Sequence, residues 1–180
     1  MRDKPKKKRL KLKEGDVFTI PIDDNTQGYG QIVNIPDKYS FIMVVFEGKW
    51  SKNDTVSIVA IINTPILFIG FTSDALLYHG RWIIIGNIIS NLDSIVIPYY
   101  FKVGLPTEPQ QLINYKLDVL RIATQQESDL LYRHHSMSPI GYQKMLQAYY
   151  DIGDLDNEDI KYNYKHIIDI YTQLNLPLYR

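Results

Sequence analysis

Gly15-Asp16-Val17-Phe18-Thr19-Ile20-Pro21-Ile22, then Tyr29-Gly30-Gln31-Ile32-Val33-Asn34-Ile35, then Tyr39-Ser40-Phe41-Ile42-Met43-Val44-Val45-Phe46 form the stretch that decides the fold class. Phe18, Ile20 and Ile22 recur at period two, the mark of a half-buried strand. Pro21 has no N–H to donate to a ladder and belongs at an edge or strand end. Asp23-Asp24-Asn25-Thr26-Gln27-Gly28 is a loop of turn formers. The run from Tyr39 to Phe46 is apolar on both faces, which predicts a central strand covered on both sides. Residues 15–47 therefore open a mainly-β domain.

Working outward, Glu47–Asp54 reads as a polar loop that carries Trp50. Thr55–Ile62 and Ile66–Phe71 read as further strands, and Ser73 introduces a single helical turn stopped by Gly80. Trp82–Ile85 resumes as strand with a bulge at Gly86. Ile95–Val103, broken by Pro98, and Ile113–Val119 complete the β pattern. The period changes after that. Thr124 and Glu127 have capping-box spacing, which predicts a short helix through Tyr132. Ser138 and Pro139 open an amphipathic helix with Tyr142, Met145, Leu146 and Tyr149 on one face. Asp156 caps another, with Ile160, Tyr164, Ile167, Ile168 and Tyr171 on its face. The short link Gly153–Leu155 predicts an antiparallel pair. Strands first and helices last imply α+β: an antiparallel curled sheet or small barrel with a C-terminal helical hairpin. The expected divisions are a basic arm at 1–12, a β domain at 13–123 and a helical segment at 124–180 packed on it.

The formal net charge is 0, but it is unevenly spread. Residues 1–14 hold eight of the 20 basic residues and two of the 20 acidic ones, leaving 12 basic against 18 acidic in the remainder. An acidic body favours cationic partners. The arm Lys4-Pro5-Lys6-Lys7-Lys8-Arg9 suits a solubilising tail, a nuclear localisation signal or a phosphate-binding tail. No apolar run reaches the roughly 18 residues of a membrane span, and no signal-peptide pattern follows the start. Cysteine is absent, which excludes disulfides and thiolate metal sites and fits a reducing cytoplasm.

The chain offers no catalytic set. Gly-x-Ser-x-Gly is missing, and the adjacent His134-His135 would point apart on a helix. Gly28-Tyr29-Gly30 lacks the third glycine and the helix N-terminus of a phosphate loop, so these glycines read as framework. Asp151, Asp154, Asp156, Glu158 and Asp159 gather between the last two helices. They suit a solvated tip or a contact for a basic protein; a divalent cation would need calcium-loop spacing, which they lack. Trp50, in its polar loop, is the candidate aromatic anchor. Trp50 and those five carboxylates are the expected partner-binding residues, with no cofactor, metal or catalytic residue expected.

Three segments carry a family resemblance: Lys13–Pro21, Gly28–Val33, and Gly80-Arg81-Trp82-Ile83-Ile84-Ile85-Gly86. They resemble the immunity protein 26 family over roughly residues 12–123. The resemblance implies a bacterial, cytoplasmic, non-enzymatic protein encoded beside a polymorphic or contact-dependent toxin. Such a protein binds and neutralises its cognate toxin, a nuclease among the candidates, in a tight stoichiometric complex. The toxin would be the product of the adjacent gene. Neither a membrane, a nucleic acid nor a small molecule is the expected partner. The alternative reading is a nucleic-acid-binding module that uses the basic arm.

Overall fold

The computed structural model describes residues 10–38 and 40–180; the basic run at 4–9 and Tyr39 lie outside them. The deciding stretch forms β1 (Asp16–Pro21), β2 (Thr26–Asn34) and β3 (Phe41–Phe46), consecutive antiparallel neighbours. β4 (Trp50–Ser51) returns to pair with the start of β2. After the short helix α1 (Ile58–Ile62), β5 (Ile66–Thr72) pairs with β3. The single turn α2 (Ala75–Tyr78) leads to β6 (Ile84–Asn87), which pairs with β1. The sheet order is β5-β3-β2-β1-β6 with β4 beside β2, antiparallel and open, so the curled-sheet expectation holds and no barrel closes. A second, three-stranded sheet follows: β7 (Tyr100–Val103), β8 (Gln111–Asn114) and β9 (Val119–Ile122). The helices are α3 (Gln125–Leu130), α4 (Pro139–Tyr149) and α5 (Tyr164–Gln173).

All six residues of β3 are buried, as its two-sided apolarity predicts. They alternate between two cores. Phe41, Met43 and Val45 face one that also holds Trp82 and the α4 residues Tyr142, Met145 and Leu146. Ile42, Val44 and Phe46 face the other, filled by Leu112 and Ile113 of β8 and by Ile167, Ile170 and Tyr171 of α5. The last two helices are thus on different cores, not the face-to-face antiparallel pair that the short link suggested. Covering a sheet on both faces leaves less water against its apolar residues than a helical pair on one face.

Close approach explains the framework glycines. A Cβ on Gly28 would lie 2.7 Å from Leu146 of α4, and one on Gly30 2.7 Å from the Phe18 ring. That ring stacks on Trp82, with centroids 5.1 Å apart and planes 11° from parallel. Val17 opposes Gly86 and Phe18 opposes Ile84, so Ile85 is the extra residue of the expected bulge.

Four segments depart from the expected elements; in the first, Ile95–Val103, only Tyr100–Val103 is strand. Thr55–Ile62 is not a strand: Ile58–Ile62 is helical and buries only Ile61. An apolar run this short fits either period, and here Ile58 is seated over Gly86 of β6. Ile113–Val119 is not one strand but a hairpin. The Asn114 side chain accepts the backbone N–H of Lys116 and of Asp118, both at 2.9 Å, and Leu117 takes a positive φ of 70°. The helix expected from Asp156 is instead a 3-10 turn (Asn157–Tyr162) and then α5. Asn163 separates them: its backbone bridges to Phe68, while its side chain accepts the His166 N–H at 2.9 Å.

An extended segment joins the two sheets. Tyr132 O accepts from Lys102 N of β7 at 3.1 Å, and Met137 N donates to Phe71 O of β5 at 3.0 Å. Parallel bridges run from Arg133 to Lys102 and from Ser136 to Phe71. Residues 132–137 therefore lie between β5 and β7 and are tied to one residue of each, Phe71 and Lys102. The array reads β6-β1-β2-β3-β5, the joining segment, then β7-β8-β9.

Candidate functional site: the Trp50 loop and the acidic end of α4

Trp50 pairs through its backbone with Gln27 on β2. Its ring folds back onto Tyr29, centroids 5.0 Å apart, and covers Gly48, where a Cβ would be 1.8 Å from the indole. Gly48 also has a φ of 142°, a conformation open to glycine. The indole is half-buried, with one part on the sheet and the rest open to solvent.

The loop before Trp50 is held by the end of α4. Tyr150 Oη accepts the Gly48 N–H at 2.7 Å, and Tyr149 Oη donates to Glu47 Oε1 at 2.8 Å. The hydrogen bond to the Glu47 carboxylate, which only the protonated phenol can donate, raises the Tyr149 phenol to about 12, with burial and the Glu47 charge adding to it. Gln147 Nε2 donates to Ile22 O at 2.7 Å and anchors the same end of the helix to the β1–β2 loop. Lys49 reaches Asp23 at 3.3 Å.

Beyond Tyr149 the chain turns through Asp151 and Gly153, both at positive φ. Asp151, Asp154, Asp156 and Glu158 are exposed and Asp159 is half-buried. Some of this acidity has local structural work. Asp156 accepts the Glu158 N–H at 3.1 Å, and Asp159 accepts the Asp156 N–H at 3.0 Å, a reciprocal cap on the 3-10 turn. Glu158 pairs with Lys161 at 2.9 Å. Among the described residues no group of three or more acidic or histidine side chains is arranged to hold a metal ion.

The Tyr149 and Tyr150 contacts thus place the Trp50 loop beside the end of α4, which Asp151 follows, while Asp156 and Asp159 lie with Phe68. Exposed apolar residues accompany them: Ile152, Leu155 and Ile160. Leu155, Ile160 and Phe68 line a shallow depression of about 280 Å³ with Asp156 and Asp159 at its rim. Sequence reasoning placed Ile160 on a core-facing helix and so missed it. The adjacent pair Tyr149-Tyr150, which must face two ways, was the available signal.

Three of the four histidines gather elsewhere, at the segment joining the sheets. His134 lies between Phe71 and Phe101, with centroids 4.7 and 4.9 Å away, and burial lowers its pKa. Burial also lowers that of His135, which contacts Tyr162. His166 Nε2 is 2.8 Å from Tyr132 Oη.

The family model for immunity protein 26 matches residues 13–109, more than half of the chain. The chain belongs to the immunity protein 26 family. No curated protein and no solved structure matches it. The matched stretch runs from the turn before β1 through β7 and contains all three resembling segments and Trp50. It ends in the loop before β8, so the acidic end of α4 lies beyond what the immunity protein 26 model describes. Membership places the chain among immunity proteins, whose general work is toxin neutralisation. Among the described residues no helix is long and apolar enough to cross a membrane.

Proposed function

We propose that this chain neutralises a cognate toxin by forming a tight stoichiometric complex, and that the end carrying Trp50 and the carboxylates from Asp151 to Asp159 is the contact surface. The single observation that supports this reading is the pair of hydrogen bonds in which Tyr149 donates to Glu47 and Tyr150 accepts from Gly48, which tie the Trp50 loop to the end of α4 that Asp151 follows. Half-exposed aromatic surface beside exposed isoleucine and leucine is suited to slow dissociation. Surrounding carboxylates are suited to fast capture of a basic partner. Nuclease toxins are basic because they bind phosphates, and such a domain matches the net acidity of the body. The binding step requires no chemistry from the chain, in keeping with a non-enzymatic cytoplasmic role beside a polymorphic or contact-dependent toxin in a bacterium.

The test is co-expression with the product of the adjacent gene. A one-to-one complex and protection of the cell are expected. Neither a complex nor protection would sink the proposal. Trp50→Ala with an unchanged melting temperature should speed dissociation of the complex; an unchanged dissociation rate would move the contact away from this end.

A further inference from the structure

Segments of the chain bridge the facing edges of the two sheets, and the outer strands, β6 and β9, have no strand beyond them among the described residues. β9 differs from every other strand of more than two residues: all four of its residues are exposed. Val119 is 58%, Leu120 42% and Ile122 66% exposed. Leu117, in the preceding turn, and Val103 and Leu105, at the end of β7, extend the apolar surface. Val103 opposes Gln111, which opposes Ile122, so Val103 and Ile122 stand in one row across the sheet.

Edge strands are ordinarily protected by a charge that resists pairing with another chain. The one charge on β9, Arg121, is folded back. Its guanidinium makes a bidentate pair with Glu127, at 2.7 Å from Nη1 and 2.5 Å from Nη2, and Nη1 also reaches the Ile122 carbonyl at 3.1 Å. The Glu127 carboxylate is buried at the start of α3. The charge is thereby neutralised and held away from the apolar side chains.

We infer that the β9 hairpin is a contact between two copies of this chain, related by a two-fold axis. Charge favours a second copy here over a basic partner. The body after residue 14 carries 12 basic against 18 acidic residues, so its acidic surfaces repel one another. At the hairpin Lys116 and Arg121 balance Asp118 and Glu127, so that repulsion is absent. A two-fold contact sets the same apolar patch against itself and needs no second complementary surface. A specific two-copy contact needs on the order of 600 Å² per copy at its lower end, and six exposed apolar side chains beside an open strand edge supply its apolar centre. The inference is independent of the toxin-binding surface, which lies on α4 and the Trp50 loop.

Light scattering on the full chain, from low-micromolar to near-millimolar concentration, tests it. The mass should rise from the 21.0 kDa of one chain toward twice that value. Ile122→Lys and, separately, Val119→Lys should weaken the association at least about tenfold, because each puts an unpaired charge in the contact. Both sites are exposed, so circular dichroism and melting temperature should match the parent. A parent chain that stays at one-chain mass throughout overturns the inference. So do folded variants that associate as the parent does. If the parent is monomeric and Ile122→Lys instead weakens toxin binding, the edge belongs to the toxin and the two-copy reading is wrong.

Discussion

Gly70 shows how little slack the core allows at single residues. It sits on β5 where a Cβ would fall 2.2 Å from Tyr142 Oη and 3.1 Å from the Tyr162 ring. Tyr142 is fully buried on α4 and cannot swing into solvent. Gly70→Ala should therefore cost about 1–3 kcal/mol, the usual penalty of overpacking, as measured by urea unfolding; a stability equal to the parent would mean that α4 is free to lift. Glu127 makes a second, pH-dependent case. Hydrogen bonds from Arg121, then from the Thr124 backbone and hydroxyl, oppose desolvation and hold its carboxyl down to about 2. Its folded pKa is thus below the ordinary carboxylate value of 4.5, so it contributes stability above that value. That contribution is lost as pH falls from about 4.5 through about 2. Glu127→Gln should be less stable than the parent at neutral pH and lose less of its stability over that acid window, as followed by melting temperature against pH. Equal pH slopes for the two proteins would show that the pair carries no linkage.

At the scale of elements, what was legible in the chain were the features with a local cause. The alternation of β1, the two-sided apolarity of β3, the bulge beside Gly86 and the Thr124–Glu127 capping box are each written in neighbouring residues, and each is present. The hairpin of β8 and β9 was hidden because Tyr115 and Leu117 keep a period-two pattern straight through a turn made by the Asn114 side chain. The division of α4 and α5 between two cores was hidden too. Each helix has one apolar face, and nothing local says which side of the sheet receives it. The segment 132–137 is the extreme case, since its structure is set by β5 and β7 on either side of it. Its chemistry yields a prediction. Burial between Phe71 and Phe101 lowers the pKa of His134 below the ordinary 6.5. His135 is lowered by burial first; the Arg133 carbonyl and Glu158 favour its charged form and Lys161 opposes it. The unfolded chain therefore binds protons more readily than the folded one at these sites. Stability is complete above pH 6.5 and declines as pH falls below it, toward the lowered folded values. Relative to the intrinsic rate of each amide at the same pH, hydrogen exchange at Lys102 and Met137, whose amides bond across the joint, should accelerate over that range ahead of amides in β3. His134→Phe should reduce the acceleration. Exchange that rises equally in β3 would mean that the two sheets do not part at this joint.

For the molecule as a whole, the uneven charge is the feature that links fold to the proposed role. An acidic body with its exposed carboxylates concentrated beyond Tyr149 presents a directional field, and a field of that kind acts on the rate of encounter more than on the lifetime of a complex. The apolar residues beside it, Ile152, Leu155 and Ile160, act on the lifetime instead. The two contributions are separable in one experiment. Asp151→Asn, Asp154→Asn and Glu158→Gln together remove three charges from exposed side chains. They spare Asp156 and Asp159, whose reciprocal cap shapes the 3-10 turn. Asparagine also tolerates the positive φ of 63° at position 151. Against a basic toxin, the association rate at low salt should fall on the order of tenfold, within the range over which steering acts. The difference should shrink as salt rises and screening shortens the field. The dissociation rate should change much less, because none of the apolar contacts is altered. Stopped-flow association across a salt series, with dissociation measured by competition, reads both rates. An association rate that is unchanged at low salt would remove electrostatic capture from the mechanism and leave shape and apolar contact at this end as its only basis.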